Sequence, residues 1–96
     1  MDRSSILSNL NQYKKQHRNQ YGIKRIGLFG SVVREENRGE SDVDVVVELE
    51  RQDLFILIGI KQDLEESMGI PVDIVSYRNN MNPFLKRRID SEAIYA

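Results

Sequence analysis

Ile26-Gly27-Leu28-Phe29-Gly30-Ser31, a gap of ten residues, then Asp42-Val43-Asp44-Val45-Val46-Val47-Glu48-Leu49 is the stretch on which the reading of this chain turns. Side chains alternate faces along a β-strand, so Val43, Val45, Val47 and Leu49 share one face while Asp42 and Asp44 share the other. Two strand rises put the Cα atoms of the two aspartates roughly 6.8 Å apart. From that separation a pair of carboxylates can share metal ions about 3.5–4 Å apart. A divalent-metal site is the natural use for them.

The residues before the gap fit that use. The apolar run ending at Phe29 reads as a strand, Gly30-Ser31 as a tight turn, and Val32-Val33-Arg34-Glu35-Glu36 as a short helix opening at or just after Ser31. Glycine lets the backbone turn sharply and lets a ligand approach closely. The N–H groups of a helix start, with a serine hydroxyl beside them, suit phosphate oxygens. With the second strand antiparallel to the first, the end of one and the start of the other share an edge of the sheet, and Ser31 lies beside Asp42 and Asp44.

A third carboxylate follows from topology. Arg51 to about Met68 reads as a helix, with Leu57, Ile60, Leu64 and Met68 at helical spacing and Gly69 as its stop signal. Pro71 then opens the strand Val72-Asp73-Ile74-Val75-Ser76. A strand, a helix and another strand of these lengths make a right-handed crossover between parallel strands. Parallel strands start at the same edge, so Asp73 is expected near Asp42 and Asp44. Each feature alone has a blander reading: a turn, a solvated strand face, an edge acid. Three acids converging on one rim without an evident basic partner repel one another unless a cation binds.

Gly-Ser, ten residues, Asp-x-Asp and a later strand Asp resemble the nucleotidyltransferase superfamily that includes DNA polymerase beta and the kanamycin nucleotidyltransferases. The small size looks most like the minimal nucleotidyltransferases, the antitoxin half of HEPN/MNT toxin–antitoxin pairs. The resemblance covers the chain from the first strand near Ile23 to the last helix near Pro83. It implies transfer of a nucleoside monophosphate from ATP assisted by Mg²⁺, with two ions. Asp42 and Asp44 would hold the metal, Asp73 would assist it or the acceptor hydroxyl, and Gly30, Ser31 and Arg34 would bind the nucleotide. The implied partner is a HEPN ribonuclease toxin, modified on a tyrosine hydroxyl. Family members often carry glycine after the residue matching Arg34, and Glu35 stands there instead. Two other readings are an antitoxin acting by binding and occlusion alone, and a nucleotidyltransferase for a small molecule.

Composition bounds the rest. The chain has 96 residues, 40% of them hydrophobic, which reads as a single α/β domain over 1–96: a small mixed sheet of three or four strands with packed helices. A domain of this size buries only about two-thirds of its unfolded surface, and a second substrate-binding domain does not fit within it. No cysteine is present, so thiolate metal sites are excluded and a cytoplasmic setting is expected. The apolar runs are too short to cross a membrane, and no signal-peptide core follows Met1-Asp2-Arg3. A net charge of −1 gives no reason to expect direct nucleic-acid binding.

Local features read more plainly. A first helix from about Ser4 to Gln20 carries Ile6, Leu7, Leu10 and Tyr13 on one face and covers the sheet. His17, near its end, is expected in solvent, and Lys14, Lys15 and Arg18 form a weak cationic group. Arg38-Gly39-Glu40 falls in the loop before Asp42. Asn82-Pro83 reads as the cap and first turn of a last helix. Its Lys86-Arg87-Arg88 cluster reads first as a solvated face and second as a group that docks an acidic partner or nears a triphosphate. The tail from Ile89 to Ala96, with Ala93-Ile94-Tyr95, is expected to add a short edge strand.

Overall fold

The computed structural model describes residues 2–34 and 42–96. Helix α1 (Arg3–Tyr21) leads into β1 (Ile23–Phe29); β2 (Val43–Leu49), α2 (Leu54–Met68), β3 (Val72–Ser76), α3 (Pro83–Glu92) and β4 (Ile94–Tyr95) follow. The sheet has four strands in the order β3-β2-β1-β4. β2 runs antiparallel to β1 and parallel to β3, while β4 pairs antiparallel with the outer side of β1. The expected mixed sheet is therefore present, and the tail supplies its edge strand at Ile94 and Tyr95.

Local chemistry explains the element boundaries. The Asp2 carboxylate accepts from the Ser5 N–H at 2.8 Å and caps α1. α2 starts three residues later than its apolar periodicity suggested, because Asp53 caps it by accepting from the Phe55 and Ile56 N–H groups. Arg51 and Gln52 stay outside the helix for that reason. The α2 stop is as expected: Gly69 adopts a left-handed conformation (φ 69°), and its N–H donates to the Glu65 carbonyl. Asn82 caps α3 with Pro83 in the first turn, where a missing N–H costs nothing.

α1 and α2 cover one face of the sheet. Val43, Val45, Val47 and Leu49 of β2 pack there with Ile26 and Leu28 of β1, Ile6 and Leu10 of α1, and Ile60 and Leu64 of α2, all essentially buried. Burial of one such aliphatic side chain contributes about 1.5–3 kcal/mol. The opposite face carries a smaller cluster in which Ile89 of α3 meets Phe29, Val46 and Met81. β2 is thus buried on both faces along its middle, which is why its sequence reads as an almost unbroken apolar run. The polar positions Asp42 and Asp44 lie at its start.

His17 departs from expectation. Its ring stacks on Tyr13 (centroids 4.1 Å apart) and on Tyr21 (5.4 Å), and its Nδ1 lies 3.2 Å from the Tyr13 carbonyl oxygen. Helical i,i+4 spacing on both sides builds that stack and leaves the ring only partly exposed.

Candidate active site

The turn after β1 holds the first group of candidate residues. Gly30 has φ 79°, in the left-handed region, and a Cβ placed on it would overlap Oδ2 of Asp44. Only glycine lets the turn press this close to that carboxylate. The closeness has a topological cause: Phe29 is the register partner of Asp44 in the β1–β2 ladder, so the next residue passes over the start of β2. Ser31 follows, partly buried. The Arg34 N–H donates to the Gly30 carbonyl at 3.1 Å, which closes a single helical turn over residues 30–34. The described part of the expected short helix is thus one turn; Glu35, Glu36 and the Arg38-Gly39-Glu40 loop lie outside the described residues.

The acids sit at the adjoining rim. Asp44 and Asp73 are direct partners in the parallel β2–β3 ladder, which places both at the same edge of the sheet. Asp44 is half-buried, and Asp42, just before β2, and Asp73 are exposed. Burial pushes the Asp44 carboxyl above its ordinary range, and the charge of Asp73 and then that of Asp42 add to the rise. Arg88 and Arg34 act in the opposite direction. The expectation that the acids lack a basic partner is therefore corrected: α3 and the β1 turn bring two guanidiniums within electrostatic reach of Asp44. Folding brings Arg88 there from α3, far away in the sequence.

Arg88 also divides the Lys86-Arg87-Arg88 cluster. Lys86 lies over the Tyr77 ring and Arg87 over Phe84, whereas Arg88 pairs with Glu92 at 3.5 Å. Arg87 and Arg88 are exposed and Lys86 partly so, as a solvated face requires, while each also meets a different neighbour. Glu92 gave no signal in the sequence beyond its i,i+4 spacing from Arg88. In the fold its Oε1 accepts from the Gly30 N–H at 2.9 Å, and both its carboxylate oxygens accept from Arg34 Nη1, at 3.2 and 3.0 Å. Burial opposes its ionisation, but the Gly30 N–H and the two arginines outweigh this and hold Glu92 below the usual glutamate range.

The donor set has the chemistry of a divalent-cation site. Carboxylate oxygens are hard ligands suited to Mg²⁺, and beyond burial, its largest cause, the rise in the Asp44 pKa includes like-charge repulsion from Asp73 and Asp42 that a cation would relieve. Among the described residues no group of three or more acidic, histidine or cysteine side chains forms a ready metal cage. Mg²⁺ is commonly held by one or two carboxylates with substrate phosphates and water completing its shell. The residues fit such an ion.

The sequence of the Nucleotidyltransferase domain family matches this chain over residues 10–96. The chain belongs to the nucleotidyltransferase domain family. A relative of this nucleotidyltransferase from Methanocaldococcus jannaschii, named by inference as a protein adenylyltransferase, is 43% identical over 75 residues, covering 77% of this chain and 80% of the relative. Protein adenylyltransferase MntA of Thermococcus cleftensis is 34% identical over 91 residues, or 94% and 91% of the two chains. Among solved structures, one of an inferred minimal nucleotidyltransferase superposes with a TM-score of 0.78 at 33% identity, covering 98% of this chain and 95% of the other. A complex described as a tri-AMPylated Shewanella oneidensis HEPN toxin with an MNT antitoxin contains a chain that matches with a TM-score of 0.68 at 22% identity, over 94% and 70% of the chains. That last likeness is one of fold. No helix among the described residues is long and apolar enough to cross a membrane.

Proposed function

We propose that this nucleotidyltransferase is a single-domain, cytoplasmic, Mg²⁺-dependent protein adenylyltransferase. It moves AMP from ATP to a tyrosine hydroxyl of a HEPN-type ribonuclease toxin and so acts as its antitoxin. The observation that carries this reading is the contact between the Gly30 turn and the Asp44 carboxylate, with Asp73 in register beside it. A phosphate-binding turn and a carboxylate rim meet at one edge of the sheet, which is the juxtaposition nucleotidyl transfer needs. The relatives' names support AMP as the group moved and a protein as acceptor, and the toxin named in the Shewanella complex supports the partner.

Each residue has a part in that chemistry. Ser31 and the turn hold the outer phosphates, and Arg34 contributes positive charge to them. Asp42 and Asp44 would hold Mg²⁺, which would supply positive charge to neutralise the phosphates. Asp73 accepts the proton of the acceptor hydroxyl. The tyrosine oxygen forms a bond to the α-phosphorus, the bond from that phosphorus to the α–β bridging oxygen breaks, and pyrophosphate leaves.

An open rim suits an acceptor carried on another protein. The groove of about 470 Å³ lined by Leu54, Leu57, Ile74, Met81 and Leu85 contains none of the rim acids, so it offers no small-molecule acceptor pocket beside them. Exposed Phe55 (85%) and Phe84 (72%) are apolar side chains of the kind a protein partner covers. An added adenylyl group would put a bulky anion where the toxin binds RNA phosphates. The test is intact-mass measurement of the cognate HEPN protein after incubation with ATP and Mg²⁺. Added adenylyl mass at substoichiometric enzyme is expected. Full protection of the cell at a one-to-one ratio by Asp42→Ala with Asp44→Ala, without added mass, overturns the catalytic reading in favour of occlusion.

A further inference from the structure

The geometry points to Glu92 as a positioning residue for nucleotide binding: through one carboxylate it fixes the Gly30 turn and sets the Arg34 guanidinium at the phosphate end of the rim. This inference rests on the proposed nucleotide-binding role of that turn.

Glu92 ties the Gly30–Arg34 turn to α3, two parts of the chain that are far apart in sequence. Its Oε1 accepts the Gly30 N–H, both its oxygens accept from Arg34 Nη1, and Arg88 stands 3.5 Å from Oε1. The carboxylate is the anchored member of the group, since its side chain is 18% exposed against 38% for Arg34 and 54% for Arg88. A half-buried carboxylate fixed by a backbone N–H restricts the longer, more exposed arginine that it holds. Charge-assisted bonds of this kind are about twice as strong as neutral ones. A disordered arginine would have to lose side-chain freedom on binding. Glu92 removes much of that cost before the nucleotide arrives.

The alternative is that Glu92 only braces the fold through Gly30. Glu92→Gln separates the two roles, because the amide oxygen can still accept the Gly30 N–H while the charge that holds Arg34 is gone. With Mg²⁺ and a non-hydrolysable ATP analogue, calorimetry of this variant is expected to show a dissociation constant raised about tenfold, with little change in melting temperature. In an Arg34→Ala background the same substitution should add almost nothing, because Glu92 acts through that arginine. In nucleotide-free protein, the Arg34 Nη1–H signals in NMR should lose their protection from solvent exchange when Glu92 becomes Gln. An unchanged or lower dissociation constant, full additivity in the Arg34→Ala background, or an unaltered Arg34 signal each overturns the positioning role. If wild type binds the analogue in those cases, the adenylyltransferase reading stands. If wild type binds no nucleotide, both fall.

Discussion

Two half-buried polar clusters of this molecule differ in how fully they are satisfied. Between α1 and α2, the Tyr13 hydroxyl donates to Asp63 Oδ2 at 2.7 Å, Asn9 Nδ2 donates to the Ser67 hydroxyl at 2.8 Å, and His17 lies between two tyrosine rings. At the start of β2 and β3, by contrast, acids face acids, and burial with like charge raises the Asp44 pKa. The first cluster is closed by its own members and holds helices together. The second carries an electrostatic cost that a bound cation would relieve, which marks it as the place where a ligand enters.

The largest expected effect separates them by activity. Asp44→Ala should lower adenylyl transfer by about a thousandfold or more, several kcal/mol of lost transition-state stabilisation. Asp63→Ala should lower the melting temperature while transfer, measured well below that temperature, stays within a few-fold of wild type. Near-wild-type transfer by Asp44→Ala would remove the rim from the mechanism.

A smaller effect concerns the two turns beside these clusters. Gly69, which ends α2, and Gly30 both have positive φ, but a Cβ on Gly69 would meet nothing within 4 Å while one on Gly30 would overlap the Asp44 carboxylate. Gly69→Ala should therefore cost only the left-handed strain, about 1–2 kcal/mol, and leave transfer intact. Gly30→Ala should cost about 1–3 kcal/mol more, the price of overpacking, and also depress transfer by displacing Asp44. Equal losses of stability in the two variants, read from denaturant unfolding, would show that the turn and the carboxylate are not in contact.

The smallest effect is in pH dependence. The folded state holds the Asp44 proton more tightly than the unfolded chain, so ionised Asp44 lowers stability. That cost is absent well below the ordinary value of 3.8 and is fully present once the pH has risen past the higher folded value. Asp44→Asn should accordingly be slightly more stable than wild type at neutral pH in metal-free buffer, and the advantage should vanish in acid. Mg²⁺ should stabilise wild type more than the variant. Tyr13→Phe should go the other way at neutral pH, losing about 0.5–1.5 kcal/mol with the hydroxyl bond to Asp63. Thermal melts across pH, with and without Mg²⁺, check each; a less stable Asp44→Asn at neutral pH would make Asp44 a structural carboxylate.

Much of this arrangement could be read in the chain beforehand, where the signal was periodic or local. Alternating valines placed β2 and its buried face, Gly69 and Asn82-Pro83 fixed helix ends, and the strand–helix–strand order required β3 to lie parallel, putting Asp73 beside Asp44. The short β4 was expected from Ile94-Tyr95. His17 was misplaced because the stacking that covers it depends on both flanking tyrosines projecting along one helix face.

The sequence by itself determined the order of elements, the two-fold alternation that separates acids from core on β2, and the spacing that brings the Gly30 turn to the carboxylate rim. Those features follow from backbone periodicity and chain connectivity, which act over a few residues or one crossover. Tertiary structure alone decided that Arg88 and Arg34 reach Asp44, and that Glu92 joins Gly30, Arg34 and Arg88. Glu92 lies 62 residues beyond Gly30, and only the packing of α3 on the outer face of the sheet, through Ile89 against Phe29 and Val46, brings its carboxylate to the turn. Charges bound in this way carry no local pattern, because a contact across such a span depends on how the layers of the fold come together.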